Sequence, residues 1–463
     1  MKRIILPLIA LCVLGFSSCS KDESFSYSST ALQNMELMNV LKSKGFTFNQ
    51  EGKLELNNIA TSTISLDLSG TKLTDLTGLD ILPNLKEVKL SNNGYGPIFD
   101  FTKLPAQITS VDLTGNDIYD FEGLVDVKVE NEERKTTILH KLSKLYLPVT
   151  AKYNIEDLLP FYEAKEKDVD MQMADATGKM QPYNTIREIP DPAFHSYLKG
   201  LYPSMFIDDS HLDFSKHLTL AETGQNIMMF YGYEDIKSFE GIEYIINNPF
   251  LGSMSVLLGD LENITVTDAP LMPRENIRGL GISEIDFKGG VYLSKATSLG
   301  ALSISHCSNL KVLDLFKTKI CNQEIKDFDV MFSNVLDLHH CSHLEEIIFP
   351  NPGTDCMAGI ILEDLPKLKK IDLSRITAID YLYLFLDDTE VVYPQLKNYF
   401  SNGQRKKLEL TTDREKVNIS ISQKIFETKA FRDFIRKYGK YCDDEYSSNQ
   451  KFGAVSWLSL LEE

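Results

Sequence analysis

Four short segments in the first third of the chain repeat one pattern: an apolar residue, any residue, then a leucine. The leucines are Leu68, Leu90, Leu113 and Leu147, with spacings of 22, 23 and 34 residues. A fixed period of 20–29 residues is typical of a solenoid in which each repeat adds one short strand. The third interval holds about 11 additional residues, which include the charged run 130–135. The sequence therefore predicts stacked parallel strands with one insertion.

A polar residue follows three positions after the first three of these leucines, at Thr71, Asn93 and Asn116. Buried backbone groups must find partners where a strand ends, and an inward amide or hydroxyl supplies them. We therefore predict that these residues form a structural ladder and do not bind a partner. With the segment LPNL at 82–85, this block resembles the internalin-like class of bacterial leucine-rich repeats.

A second set of repeats lies between about 228 and 392. Three of its segments pair two apolar-x-apolar steps that are 11 residues apart. These segments are 302–315, 336–349 and 360–373. Cys307 and Cys341 stand 34 residues apart in the same HCS context, and their segments resemble the Cys-containing repeats of bacterial surface antigens. The sequence leaves open which step of each pair faces the concave side.

The first residues predict export. Lys2 and Arg3 precede an apolar run over 4–14 that is too short to span a bilayer, as is typical of a signal peptide. The ending FSSC at 16–19 resembles a bacterial lipobox, which implies cleavage before Cys19 and acylation of that cysteine. The alternative is an ordinary secretory signal with an incidental cysteine.

The residues after the cysteine, 20–30, are polar and rich in serine, as expected of a flexible tether. The sequence KDE at 21–23 resembles the surface-export signal of Bacteroidota lipoproteins. This resemblance implies a lipoprotein of the outer membrane that is exposed on the cell surface. Retention inside the envelope is the alternative.

Interruptions of the repeat pattern divide the chain into six parts. They are a signal peptide at 1–18, a flexible tether at 19–30, a first leucine-rich-repeat block at 31–164, a linker at 165–188, a second capped leucine-rich-repeat block at 189–400 and a C-terminal cap at 401–463. The segment 189–206 resembles the capping segment of Bacteroidota leucine-rich-repeat domains. Apolar residues at helical spacing over 422–441 predict an amphipathic helix from Ser422 to Gly439. The predicted fold is an α/β leucine-rich-repeat solenoid with short helical caps and a curved parallel strand face.

The sequence contains none of the common catalytic motifs that we searched for: it has no nucleophile elbow, zinc-protease helix or phosphate-binding loop. Histidines and a cysteine cluster at 339–343, but adjacent strand residues point to opposite faces, so His339 and His340 are not expected to share one ion. The acidic loop at 207–223 lacks the glycine and the spacing of a calcium loop. Five cysteines remain after export, so at least one thiol is unpaired. We expect no catalytic residue, no metal and no cofactor.

The net charge of −18 argues against a nucleic-acid partner, because phosphate backbones select basic proteins. A lipid anchor, a tether and a stacked-repeat surface together favour a binding or adhesion platform for a protein or glycan partner. The predicted contact residues point outward from the strands of the first block, at Asp67, Lys89, Asp112 and Tyr146. The alternatives are an architectural envelope lipoprotein and a polysaccharide hydrolase. The oligomeric state stays open.

Overall fold

The computed structural model describes most of the chain after residue 25. The described residues are 26–130, 133–216, 227–230, 235–248, 251–259, 265–321, 335–350, 356–401, 404–407, 416–444 and 455–461. Cys19 and the predicted signal peptide at 1–18 lie outside them. In this described part, no helix is long and apolar enough to cross a membrane.

A six-stranded sheet forms the first block. Its strands in spatial order are Met180–Pro182, Asp170–Ala174, Lys144–Leu147, Ser110–Asp112, Glu87–Lys89 and Ser65–Asp67. All neighbours are parallel except the first pair, which is antiparallel. The four repeat leucines that define the pattern, at 68, 90, 113 and 147, are fully buried. The insertion predicted near 130–135 belongs to an antiparallel hairpin of Val125–Glu130 and Glu133–Ile138.

A nine-stranded sheet, parallel throughout, forms the second block. Its strands in order are Ile227–Phe230, Met254–Leu258, Ile277–Ser283, Ala301–Ser305, Val335–His339, Gly359–Glu363, Tyr381–Phe385, Val417–Ile421 and Cys442–Asp444. Each strand pairs with the next along the chain in this sheet, which is consistent with a repeat solenoid. The residues Leu302, Leu336, Ile360 and Leu382 stand in register and are buried.

The two apolar steps of each pair lie in different sheets. The first step of each pair lies in the nine-stranded sheet, and the second lies in a separate two-stranded sheet. These sheets pair Val312–Asp314 with Glu346–Ile348 and Lys370–Asp372 with Glu390–Val392. Further two-stranded sheets pair Tyr27–Ala31 with Lys53–Glu55, Ile98–Asp100 with Asp120–Glu122, Ile186–Glu188 with His211–Asp213, Thr265–Thr267 with Ile285–Phe287 and Asn398–Ser401 with Gln404–Lys407.

One backbone turn recurs in both blocks. The residue two positions after the last core residue of a strand takes the left-handed conformation, with φ between 48° and 68°. These residues are Gly70, Asn92, Gly115, Glu284, His306, His340 and Asp364. Glycine, asparagine, aspartate and histidine adopt this conformation at the least energetic cost. Six of the seven residues are of these types, and Glu284 is the exception. The turn ends each strand and redirects the chain.

Short helices lie outside the two large sheets. The α-helices are Met35–Ser43, Asn58–Ser62, Leu158–Ala164, Pro192–Leu201, Glu243–Ile246, Gln423–Phe426 and Lys429–Tyr438. The 3-10 helices are Leu79–Ile81, Phe101–Lys103, Val149–Tyr153, Pro203–Met205, Gly439–Tyr441 and Leu458–Leu461. The single helix predicted from Ser422 is divided in two, because Thr428 caps a second start by accepting from the amide of Phe431. Its apolar stripe is buried at Phe431, Phe434 and Tyr438.

The two blocks share one hydrophobic core, which runs without a break from Leu32 to Leu460. The stretch predicted as a linker, 165–188, carries two strands of the six-stranded sheet and the whole of the strand Ile186–Glu188. The blocks also meet through Tyr153, whose ring stacks on that of Tyr244 with centroids 6.3 Å apart. The division into two blocks is therefore a division of sheets within one packed body.

Candidate functional site

The four residues predicted to bind a partner form one straight row. Asp67, Lys89, Asp112 and Tyr146 are direct neighbours across four parallel strands, and Gln172 continues the row on the fifth. Asp67 and Lys89 are exposed, whereas Asp112 and Tyr146 are half-buried. We call these four the first-sheet row. Its members alternate in charge and end on an aromatic ring.

A second row of side chains, two residues earlier on each strand, holds this face in place. The Nζ atom of Lys144 lies 2.8 Å from Oε1 of Glu87, two strands away. Tyr146 donates its hydroxyl to Asp170 at 2.7 Å. The hydrogen bond from Lys144 lowers the pKa of Glu87, and the bond to Asp170 raises the pKa of Tyr146. Because these pairs are partly exposed, they orient the side chains more than they stabilise the fold.

The predicted ladder residues lie where the strands of the first sheet end. Asn116 is buried, and its Nδ2 donates to the carbonyls of Leu90 and Leu113 at 3.0 and 2.8 Å. Its Oδ1 accepts from the amide of Asn93 at 2.9 Å. Thr71 donates its hydroxyl to Oδ1 of Asn93 at 3.3 Å, so the three side chains follow one another across the repeats.

Sequence reasoning missed a second cluster, which lies on the outward face of the nine-stranded sheet. One strand presents three aromatic rings on the face away from the core, and each ring is half-buried. Two carboxylates and an imidazole stand on the two preceding strands, in the same rows. We call this set the aromatic–acidic patch. It consists of Asp337, His339, Glu363, Tyr381, Tyr383 and Phe385.

Two contacts order the aromatic side of the patch. The rings of Tyr381 and Tyr383 lie 5.3 Å apart at an interplanar angle of 40°. The ring of Tyr381 lies over Gly359 on the next strand, where a Cβ atom would collide with it. Glycine at this position therefore leaves the space that the ring occupies.

The charged side of the patch centres on His339. Its Nε2 forms a close ion pair with Asp337, and its Nδ1 lies 3.1 Å from Oε2 of Glu363. Burial alone lowers the pKa of this imidazole, but Asp337 and Glu363 outweigh burial and raise it. Ser303 donates its hydroxyl to Oδ2 of Asp337 at 3.1 Å. The imidazole of His339 thus bridges two carboxylates.

The expectation that His339 and His340 point to opposite faces is wrong. The strand ends at His339, and His340 adopts the left-handed turn with φ of 52°. Both imidazoles therefore approach Glu363, with Nε2 of His340 at 3.7 Å from Oε1. His340 also pairs with Asp364 at 2.9 Å, so its ring is held by carboxylates. Cys307 and Cys341 are buried here. All five described cysteines are buried, and none of them forms a disulfide.

The sequence contained a signal for the patch. The segment YLYLF at 381–385 alternates aromatic and leucine residues, and a period of two places all three aromatic rings on one face. The carboxylates of Asp337 and Glu363 occupy the outward positions of strands that the repeats had already located. What the sequence does not contain is the pairing of the strands, which brings these six residues together.

One group of acidic side chains among the described residues has the spacing of metal ligands. The carboxylates of Asp120, Glu156 and Asp157 lie within 4.8 Å of one another. Their oxygens are already engaged by Arg274 and Lys295. The expected absence of a metal stays a prediction, and this group belongs to an ion-pair cluster between the blocks. Comparison with known proteins gave no match to a family model, a curated protein or a solved structure.

Proposed function

We propose that this chain is a leucine-rich-repeat lipoprotein of the bacterial outer membrane, surface-exposed and anchored through Cys19. We further propose that it binds a protein or glycan partner through the outward faces of its strands and has no catalytic activity. The observation that carries this proposal is the aromatic–acidic patch. Half-buried tyrosine and phenylalanine rings beside charged groups have the composition of interaction surfaces.

The shape of the sheets supports the same function. Side-by-side parallel strands repeat their outward residues at intervals of about 4.8 Å, so that one face presents an extended array. The first-sheet row offers alternating charges, and the patch offers aromatic rings. An extended array suits a large or polymeric partner better than a small molecule.

The two alternatives fit the patch less well. A purely architectural role gives no reason for three aromatic rings on the outward face of one strand, whereas aromatic rings are enriched at binding surfaces. A polysaccharide hydrolase needs a carboxylate that is available as acid or base. On the patch, both Asp337 and Glu363 are paired with His339.

The anchor is tested in the natural cell envelope. Cys19→Ala should remove acyl labelling and shift the protein out of the membrane fraction, and the wild type should be accessible to protease on intact cells. Cys12→Ala, in the same leader, is the matched control and should leave the anchor intact. Unchanged labelling and fractionation of the Cys19 variant would contradict the anchor.

The binding role is tested with the exported chain on arrays of glycans and of extracellular proteins. Tyr383→Ala should weaken saturable binding at least tenfold, as is usual for an aromatic contact at the centre of an interface. Tyr27→Ala is the matched control, because Tyr27 is 38% exposed and lies outside both large sheets. Equal loss in both variants, or turnover of an arrayed glycan, would contradict the proposal.

A further inference from the structure

A cleft of about 940 Å³ opens where the two blocks meet. Glu156 and Asp157 of the first block line it, together with residues 125–128. Asn247 and Arg274 of the second block line it as well. Small-molecule sites usually measure 300–1,000 Å³, and they often form where two units of a fold meet.

A cluster of two cations and three carboxylates adjoins the cleft. The Nη2 atom of Arg274 donates to Asp120 at 2.6 Å, and its Nε donates to Glu156 at 2.8 Å. Lys295 lies 2.6 Å from the other oxygen of Asp120, so two cations face the three carboxylates of Asp120, Glu156 and Asp157. Burial raises the pKa of Glu156 to about 7, although Arg274 opposes that shift. Arg274 and Lys295 therefore engage all three carboxylates.

One buried polar atom at this cleft has no partner in the described part of the chain. Asn247 is 4% exposed and lines the cleft, yet its Oδ1 accepts no hydrogen bond there. Buried polar atoms are nearly always paired, so an unpaired oxygen at a cavity points to a ligand that donates to it. Hydroxyl groups of Ser253, Ser294 and Thr297 line the same cleft nearer to solvent.

We propose that this cleft binds a neutral saccharide. A sugar hydroxyl both donates and accepts hydrogen bonds, which suits a wall where the Asn247 oxygen requires a donor and the hydroxyls of Ser253, Ser294 and Thr297 do both. A charged ligand gains little, because the cations and carboxylates of this cluster are already paired with one another. The other charged residues that line the cleft, Asp126, Lys128 and Glu275, carry both signs. A free metal ion is disfavoured for the same reason, since Arg274 and Lys295 take the carboxylate oxygens.

This site is separate from the proposed partner surface. The first-sheet row and the aromatic–acidic patch do not line the cleft. The saccharide site therefore stands or fails on its own evidence. A result against it leaves the binding role of the strand faces untouched.

The test is calorimetric titration of the full mature chain with maltotriose, cellotriose and mannotriose, each uncharged. We expect saturable binding of at least one of these probes. Asn247→Ala should weaken that binding five- to tenfold, the effect of one lost hydrogen bond. A structural role for Asn247 would lower the melting temperature and leave affinity unchanged.

A second variant keeps the test valid if Asn247→Ala does not fold. Thr297→Trp places a large ring at an exposed position of the cleft and should abolish binding. Thr61→Trp, at an exposed threonine that does not line the cleft, is the matched control. No binding of any probe, or binding that both cleft variants leave unchanged, would overturn the proposal. Hydrolysis of a probe would support the ligand class and would overturn the non-catalytic part of the proposed function.

Discussion

The guanidinium of Arg274, in the second block, lies 2.6 Å from the carboxylate of Asp120, in the first block. Asp120 is 1% exposed, and Arg274 holds the pKa of its carboxyl below the usual range although burial opposes this shift. The same guanidinium also contacts Glu156 and Asp157. One side chain of the second block therefore contacts three carboxylates of the first.

We expect Arg274→Met to lower the free energy of unfolding by about 3–5 kcal/mol, because it leaves buried carboxylates without their cation. Urea unfolding at neutral pH measures the change. Arg436→Met is the control, since Arg436 is 59% exposed and lies 3.5 Å from Asp433. The control should lose less than about 1 kcal/mol. Equal losses in the two variants would show that the cluster does not stabilise the contact between the blocks.

The ladder role of Asn116 predicts a loss of stability without a loss of function. Asn116→Ala leaves buried carbonyls and amides unpaired, at about 1–3 kcal/mol in the free energy of unfolding. Asn84→Ala is the control, because Asn84 is exposed and makes one hydrogen bond, to the carbonyl of Thr61. Binding per folded molecule should be unchanged in both variants. If Asn116→Ala kept full stability but lost binding, the residue would belong to the partner site.

Glu243 predicts a decline in stability as the pH rises. This side chain is 3% exposed, and burial raises its pKa from 4.5 to about 8. Between pH 4.5 and about pH 8, Glu243 is protonated in the folded protein and ionised in the unfolded chain. Its contribution to stability is therefore complete below pH 4.5 and is lost as the pH approaches 8. We expect a loss on the order of 2–4 kcal/mol between pH 5 and pH 8.

Glu243→Gln tests this assignment, because glutamine is neutral at every pH and has the same shape. The variant should show a flatter profile of unfolding free energy from pH 5 to pH 8 than the wild type. The raised pKa of His339 acts in the same direction, so the relevant quantity is the difference between the two profiles. Parallel profiles would mean that Glu243 is ionised in the folded protein.

Because the ring of Tyr381 packs on Gly359, adding a methyl group at position 359 should destabilise the fold. Gly359→Ala should displace the ring and lower the free energy of unfolding by about 1–3 kcal/mol. Gly200→Ala is the matched control, since nothing lies within 4 Å of its Cβ position in the helix Pro192–Leu201. The control should raise stability by about 0.5–1 kcal/mol through helix propensity. Similar effects in the two variants would contradict the contact with the ring.

The sequence predicted the parts of the fold that repeat. The leucines at 68, 90, 113 and 147 are buried because a period-two strand hides every second residue. Their spacing also located Asp67, Lys89, Asp112 and Tyr146 in a single row. Because the same pattern recurs in every repeat, the sequence alone is enough to predict which residues point inward and which point outward.

Features that occur once were not predicted. The break at Thr428 arises because a hydroxyl competes for the start of a new helix, and nothing in the apolar stripe indicates this. Arg274 and Asp120 are 154 residues apart, so their contact follows from packing between the blocks and not from a local pattern. The aromatic–acidic patch was missed because its residues come from three strands. Periodicity finds strands, whereas sites depend on how strands assemble.

Site-specific photo-crosslinking in the natural cell envelope tests the central claim most directly. A photoreactive residue is placed at Lys89 or Tyr383, on the two strand faces, and at Asp80 or Lys103, which are exposed but outside both large sheets. The proposed binding role predicts a discrete crosslinked partner from both positions on the strand faces and none from the two controls. Crosslinks from Asp80 and Lys103 alone, or from none of the four positions, would contradict it.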